Sequence, residues 1–315
     1  MGIAVDYGNG IYLVDADHLR PGMAGIHLIA EAGRVAVIDA GTSLSLRGVR
    51  AALGQLGLSE AAVDHVILTH VHLDHAGGAG TMMQAFPQAR LVVHPRGARH
   101  MIDPAKLVEG ATAVYGENYI REVYPDILPV DPSRVVEAAD GAEFFLAGRR
   151  LVCLDAPGHA YHHNVIMDAH GGIFTGDIFG LSYRELDVDG RQFIFPTTTP
   201  TQFDPEAMRG TIHRLLALAP PVIYQTHFGK FTDVACGARN LLRRLDRLVA
   251  QAVAERAKGD ERHRRIKTAI MAYLIAEARD HGCRLEDSDL AKIWETDVEL
   301  NTQGLTYWLD KTARQ

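Results

Sequence analysis

Three histidines and one aspartate fall within six consecutive positions, His70 to His75, in the segment THVHLDHAGG. The segment follows the apolar run VIL, which is typical of a β-strand. Side chains two residues apart on an extended segment point to the same side, so His70 and His72 can bind one ion. Asp74 and His75 are adjacent and would diverge on an extended segment unless the backbone turns, and Gly77 and Gly78 after them predict such a turn, with a helix following. We therefore predict two metal ions side by side, one bound by His70 and His72 and the other by Asp74 and His75.

Two ions need more ligands than these four side chains provide, and three further residues occupy comparable positions. His159, Asp177 and His227 each follow an apolar run and stand beside a glycine or a turn signal. Loop residues at strand ends often carry binding and catalytic chemistry. We expect these three residues to join the cluster, because groups of this kind are rarely buried together without an ion.

The elements that must position these residues follow from the periodicity of the apolar side chains. From about residue 11 to residue 39, short apolar runs between turn signals predict successive antiparallel strands. Strands and single helices then alternate without an internal repeat, which predicts an α/β domain over residues 1–235. A helix-compatible stretch at about residues 97–132 is interpreted as an inserted lid. Apolar residues at helical spacing predict a C-terminal helical domain over residues 236–315.

Composition narrows the class of protein and its partners. The 315-residue chain has a formal net charge of −7, which gives no electrostatic reason to expect nucleic acid or an anionic membrane as a partner. Its three cysteines are far apart and suggest neither a disulfide framework nor a thiolate metal site. The sequence contains no basic leader and no apolar run of about 20 residues. We expect a cytoplasmic protein that acts on a small molecule, without a nucleic-acid or membrane partner.

Five segments together resemble the metallo-β-lactamase fold superfamily and occur in the order in which that superfamily carries them. They are VIDAG at residues 37–41, THVHLDHAGG at 69–78, PGH at 157–159, TGD at 175–177 and THFG at 226–229. The resemblance covers roughly residues 10–235. It implies an α/β fold, a four-layer αββα sandwich, with a dinuclear metal site at one edge, followed here by a C-terminal helical extension.

The resemblance also implies a ligand set. The first metal would be bound by His70, His72 and His159, and the second by Asp74, His75 and His227, while Asp177 would bridge the two. Asp39 would lie behind the ligands and support the loop that carries the histidines. His163, four residues after His159, is interpreted as structural.

This site would carry out hydrolysis. Two divalent ions lower the pKa of a shared water, and the resulting hydroxide attacks an acyl carbonyl. Zinc is the expected metal, with iron or a mixed Fe/Zn pair as the alternative. Asp74 and Asp177 are the expected catalytic residues, because they can orient the nucleophile and move its proton. Since the chain is similar to glyoxalase II and related thioesterases, we predict a metal-dependent hydrolase of a thioester, ester or lactone.

Two other functions on the same fold remain alternatives. Diiron members carry out redox chemistry or bind oxygen, generally with a glutamate in place of the second histidine, so His72 favours hydrolysis. A nuclease or phosphodiesterase is the third interpretation, although the basic clusters of the C-terminal helices are interleaved with acids. Within the hydrolases, GDIFGLSYREL differs from the usual segment of glyoxalase II. Gly180 stands where quorum-signal lactonases commonly have a tyrosine.

Candidate substrate contacts come from the lid and from the aromatic residues that follow the TGD segment. They are Tyr115, Tyr119, Tyr183 and Phe193, chosen for position and aromatic content. The C-terminal helices contain Trp294, Tyr307 and Trp308. We expect these helices to pack on the sandwich, to close over the site or to form a homodimer surface.

Overall fold

The structure is a computed structural model that describes residues 4–256, 259 and 261–313. The chain divides into two compact units. The first contains the residues up to Ala156 together with His162–Gly176 and Pro220–Thr232. The second contains Pro157–Tyr161, Asp177–Ala219 and the chain from Asp233 onward. Its last segment begins close to the predicted boundary after residue 235, whereas residues 177–219 group with the C-terminal helices and not with the sheets.

The first unit contains two mixed β-sheets. In chain order the strands are β1 (Val5–Gly8), β2 (Ile11–Asp15), β3 (Gly25–Glu31), β4 (Arg34–Ile38), β5 (Val63–Ile67), β6 (Arg90–Val93), β7 (Val135–Glu137), β8 (Ala142–Leu146), β9 (Arg149–Asp155), β10 (Asn164–Asp168), β11 (Ile173–Gly176), β12 (Ile223–Gln225) and β13 (Gly229–Phe231). The first sheet has the order β1 to β7, and the second has the order β13-β12-β11-β10-β9-β8.

Strand direction determines where the loops of the first unit gather. In the first sheet, β1 to β4 are antiparallel, whereas β4, β5, β6 and β7 are parallel to one another. In the second sheet only β11 and β12 are parallel. Because parallel strands end at the same edge, the residues that follow β4 and β5 emerge side by side. These are Asp39 and the segment that carries the clustered histidines.

Helices of the first unit are α1 (Leu46–Gln55), α2 (Leu73–Ala76), α3 (Ala79–Ala85), α4 (Pro95–Ile102), α5 (Ala105–Tyr115) and α6 (Glu117–Val123). Those of the second are α7 (Pro205–Ala217), α8 (Val234–Ala254), α9 (Glu261–His281), α10 (Asp287–Ile293) and α11 (Glu295–Thr312). The predicted insertion at residues 97–132 contains most of α4 and all of α5 and α6. Among the described residues, no helix combines the length and the apolarity needed to cross a bilayer.

The core of the first unit follows from the alternation of side chains along its strands. Ile67 packs between the two sheets with Ile166 and Phe174 of the second sheet. Its neighbour Val66 points to the opposite face, where it joins a cluster that includes Met82 of α3. Successive strand residues face opposite sides, so one strand serves both layers. The predicted α/β class is confirmed, with two mixed sheets, flanking helices and a C-terminal helical region.

The second unit combines an apolar helix interface with a buried salt bridge. Leu241, Leu245 and Leu248 form the buried stripe of α8 that the sequence predicts. Between them, the buried Arg244 donates from Nε to Glu277 of α9 at 3.0 Å. A charge held in this way avoids the large cost of burying it alone.

Candidate metal centre

The clustered segment reaches its shape through one helical turn rather than through its glycines. After β5 the chain runs extended to His72 and then forms the single-turn helix α2, which separates Asp74 from His75 by about 100°. Gly77 and Gly78 form the predicted turn before α3, but both have ordinary right-handed backbone angles, so the turn does not depend on the conformational freedom of glycine. Gly78 is required for space, because a Cβ there would overlap the carbonyl oxygen of Ala40.

Asp39 forms the central hydrogen-bond acceptor behind the cluster. Its side chain is 1% exposed and its φ of 62° turns the chain at the end of β4. Oδ1 accepts from the backbone N–H of Thr69 at 2.8 Å and from the Thr69 hydroxyl at 2.9 Å. Oδ2 accepts from Thr226 Oγ1 at 2.8 Å and from His75 Nδ1 at 2.8 Å. One carboxylate therefore ties together the ends of β4, β5 and β12.

These contacts determine which ring nitrogens can bind a metal. A carboxylate and a carbonyl only accept, so His75 donates from Nδ1 to Asp39, and His227 donates from Nδ1 to the Met23 carbonyl at 2.6 Å. Each ring then presents the lone pair of Nε2. Asp74 Oδ2 lies 3.2 Å from His227 Nε2 and 3.6 Å from His75 Nε2. These three donors lie within 4.8 Å of one another, an arrangement that fits a divalent metal ion.

The other two clustered histidines also converge. His70 Nε2 lies 2.9 Å from His72 Nδ1, while His70 Nδ1 lies 3.2 Å from the hydroxyl of Thr69. His163 is completely buried and stacks on the ring of His70, with 4.8 Å between ring centroids. Two imidazole nitrogens this close together are suited to sharing an ion, as their spacing in the sequence predicts.

The remaining two predicted ligands, His159 and Asp177, both belong to the second unit and lie close together there. His159 Nε2 and Asp177 Oδ2 are 3.5 Å apart, and both side chains are buried. The turn that carries His159 is fastened to α7, because Thr211 donates from Oγ1 to the Pro157 carbonyl at 2.7 Å. The backbone of Asp204 also donates to the Gly158 carbonyl at 2.8 Å.

The electrostatics around Asp74 favour an ionised ligand. Burial raises the pKa of Asp74, but the neighbouring His75 and His227 outweigh this effect and bring the pKa well below its usual value. Burial, reinforced by the charge of Asp74, raises the pKa of Tyr119 to about 12. Burial lowers the pKa of His18 to about 4, although Asp74 opposes that change. The residues around Asp74 thus include a neutral imidazole and a neutral phenol at pH 7.

The predicted substrate residues fall into two groups. Tyr115 is the last residue of α5 and Tyr119 lies on α6, both within the lid. Their rings stack with 5.2 Å between ring centroids. Tyr183 is completely buried and donates its hydroxyl to the Asp297 carboxylate at 3.1 Å. Phe193 is also completely buried and packs under the guanidinium of Arg244. The structure therefore places Tyr183 and Phe193 in the packed interior of the second unit, not on a surface that a substrate could reach.

Several residues of the site are not predicted from the sequence. Thr69 and Thr226 hold Asp39, and each directly precedes a histidine of the cluster, which is a signal that could have found them. Met23 contributes only its carbonyl oxygen, so its residue type carries no signal. His18 stands alone in a loop, where a single histidine is more often an ordinary surface residue.

Family comparison agrees with this architecture. Residues 19–227 match the family model described as the Metallo-beta-lactamase superfamily. Since the match spans more than half of the sequence, the chain belongs to the metallo-β-lactamase superfamily.

Individual relatives span different shares of the chain. The metallo-beta-lactamase fold-containing protein ST1585 of Sulfurisphaera tokodaii is 29% identical over 226 residues, which cover 70% of this chain and 78% of that protein. The acyl-coenzyme A thioesterase MBLAC2 of Gallus gallus is 30% identical over 189 residues, covering 54% of this chain and 63% of that protein. The solved structure of the metallo-beta-lactamase family protein TTHA1429 from Thermus thermophilus has a TM-score of 0.68 at 21% identity, covering 98% of this chain and 95% of that one. That structural likeness concerns the fold alone.

Proposed function

We propose that the protein is a dinuclear metal-dependent hydrolase that cleaves the acyl bond of a thioester, an ester or a lactone. The observation that carries the proposal is the orientation of two imidazoles around Asp74. His75 and His227 are each fixed through Nδ1, by Asp39 and by the Met23 carbonyl, so that Nε2 faces the Asp74 carboxylate. A purely structural cluster has no need for this alignment of metal-binding lone pairs.

The proposed ligand set extends beyond these three residues. In the proposal one ion is bound by His70, His72 and His159, the other by Asp74, His75 and His227, and Asp177 bridges them. The support for His159 and Asp177 is the family resemblance of the PGH and TGD segments. Their donor atoms, 3.5 Å apart within the second unit, are close enough to serve one centre. Three neutral histidines in the first site suit zinc.

Bound divalent ions would generate a hydroxide nucleophile at neutral pH and polarise the acyl carbonyl. The protein's own groups then have separate tasks. Asp74, which is ionised and has Oδ2 3.2 Å from His227 Nε2, can orient the attacking water, and Asp177 can accept a proton from it. Asp39 keeps His75 in the tautomer that leaves Nε2 free of hydrogen. The Met23 carbonyl does the same for His227.

A thioester is the first substrate class to test. The support is the family membership together with MBLAC2, a relative whose name describes an acyl-coenzyme A thioesterase. That relative matches only part of this chain, so esters and lactones belong in the same experiment.

The test combines metal analysis of the purified protein with turnover of a thioester, ester and lactone panel. We expect two ions per chain and hydrolysis of at least one substrate class. Asp177→Asn should abolish turnover, whereas Asp168→Asn, at a buried aspartate paired with Arg149, should retain it. Oxygen or peroxide spectra without acyl turnover would instead indicate a diiron redox protein. One ion or none would contradict the proposal.

A further inference from the structure

The loop between β2 and β3 is built to bury one histidine. Asp15 accepts the backbone N–H of Asp17 at 2.9 Å and that of Gly22 at 2.7 Å, which closes the loop on itself. Asp17 and Leu19 both have positive φ angles, 53° and 55°, and they flank His18. As a result Leu19 is 49% exposed while His18 is only 4% exposed. A non-glycine residue with positive φ is uncommon, and two of them around one side chain indicate a constrained position.

This loop belongs to the metal centre. Met23, near its end, accepts the Nδ1 hydrogen bond that orients His227. The charges of Asp74, His227 and His75 all act on the pKa of His18, so its imidazole lies within electrostatic reach of the donors of the second ion. On its other side the ring packs against Tyr124, with 5.8 Å between ring centroids. Tyr124 in turn packs with Leu73, the residue directly before Asp74, so these contacts connect His18 to the metal centre.

The imidazole of His18 offers an unused hydrogen-bonding atom there. Nδ1 is buried and has no hydrogen-bond partner among the residues that the structure describes. Buried polar atoms in native proteins are nearly always satisfied, by protein, by water or by a ligand. A neutral imidazole can donate from one ring nitrogen and accept at the other.

We propose that His18 is a specificity-determining residue whose imidazole hydrogen-bonds a polar substituent of the acyl group, such as a hydroxyl or an amide, in the substrate bound at the metal centre. This inference rests on the proposed function. A site built to hydrogen-bond a substituent rejects the analogue that lacks it, because the protein atom is then left unpaired. The enzyme should thus prefer hydroxyacyl or acylamino substrates over plain acyl substrates of the same length.

Two substitutions separate hydrogen bonding from packing. His18→Phe keeps a ring against Tyr124 but removes both nitrogens, whereas His18→Asn keeps a polar atom near the position of Nδ1. His65→Phe is the matched control, since His65 also has a buried Nδ1 and packs edge-on against Phe144, 6.1 Å between centroids. Each variant is assayed with thioesters of one thiol that carry hydroxyacyl, acylamino or plain acyl groups of equal length.

For the preferred polar substrate, we expect His18→Phe to lower kcat/KM roughly 5- to 150-fold, the range for leaving one buried polar group unpaired. The plain acyl substrate should change by less than about twofold. His18→Asn should recover part of the loss, and His65→Phe should match the wild type.

Metal content and product binding complete the test. His18→Phe should retain the metal content of the wild type, while calorimetry should show weaker binding of the hydroxy acid or acylamino acid product. Equal losses on all substrates, loss of metal, or a wild-type enzyme that does not prefer polar acyl groups would overturn the inference. A wild-type protein that hydrolyses no acyl substrate would refute the proposed function. Calorimetry of the two acid classes would still decide the role of His18.

Discussion

Replacement of Asp39 by asparagine tests how the protein orients its metal ligands. In Asp39→Asn one carboxylate oxygen becomes an NH₂ group, which can only donate. The amide oxygen must face Thr69, because the Thr69 backbone N–H cannot become an acceptor. The NH₂ group then faces Thr226 Oγ1 and His75 Nδ1, which both donate to Asp39 Oδ2 in the wild type. The hydroxyl can rotate, but His75 must shift its proton from Nδ1 to Nε2.

The magnitude follows from that tautomer change. A proton on Nε2 removes the lone pair that faces Asp74, so the ion that Asp74, His75 and His227 are proposed to bind loses one ligand. Loss of a supporting partner commonly lowers metal affinity 10- to 100-fold, or about 1.4 to 2.7 kcal/mol. We expect the upper end of this range, because both neighbours of the NH₂ group are donors. The ion assigned to His70 and His72 should be affected less.

The assay is a competition titration of metal-free protein against a chromophoric chelator, fitted for two binding constants. Asp168→Asn is the matched control. Asp168 is also buried and accepts two hydrogen bonds from Arg149, at 2.6 and 2.8 Å. The control should destabilise the fold yet keep both metal affinities within about threefold of the wild type. Wild-type affinity at both sites in Asp39→Asn would refute the argument from the tautomer of His75.

Three further predictions concern stability. The pKa of Glu277 lies at about 2, below its usual 4.5, because hydrogen bonds from Arg243 and Arg244 outweigh its burial. Above pH 4.5 this shift contributes about 3 kcal/mol to the free energy of unfolding, and the contribution is lost as the pH falls toward 2. Urea denaturation should therefore show that Glu277→Gln is less stable than the wild type at pH 7, and that the difference vanishes in acid. Gly304→Ala should lower the free energy of unfolding by roughly 1–3 kcal/mol, since the new Cβ would overlap the Thr198 carbonyl oxygen. Gly110→Ala is the control: it has open space around it and should not lower the melting temperature. Removal of metal by a chelator should lower the melting temperature, because zinc at about 100 times its Kd adds about 2.7 kcal/mol.

Residue spacing predicts the part of the site that is held by local geometry, whereas His159, Asp177 and His227 are predicted from strand-end positions and from the family resemblance. His70, His72, Asp74 and His75 are neighbours in the chain, so their convergence depends on one strand end and one helical turn. The strands were predictable for the same reason, because apolar alternation acts over a few residues. At Gly78 the requirement is for space, because a Cβ would overlap the Ala40 carbonyl oxygen, and no sequence pattern reveals that neighbour.

The sequence does not show which side chains are buried by elements that are distant in the chain. The loop after TGD is aromatic, which suggests a substrate wall. Tyr183, however, is tied to Asp297, and Phe193 packs against Trp294, partners about a hundred positions further along the chain. His18 is the opposite case, since its burial comes from backbone angles at its two neighbours that leave no periodic signal.

We propose that this chain binds two metal ions and uses them to hydrolyse an acyl bond. The most direct measurement is a zinc titration of the metal-free protein in which bound metal and turnover of the best acyl substrate are recorded on the same samples. We predict that binding saturates at two equivalents and that turnover reaches its maximum only with the second. Saturation at one equivalent or none, or two bound ions without acyl turnover, would contradict the account.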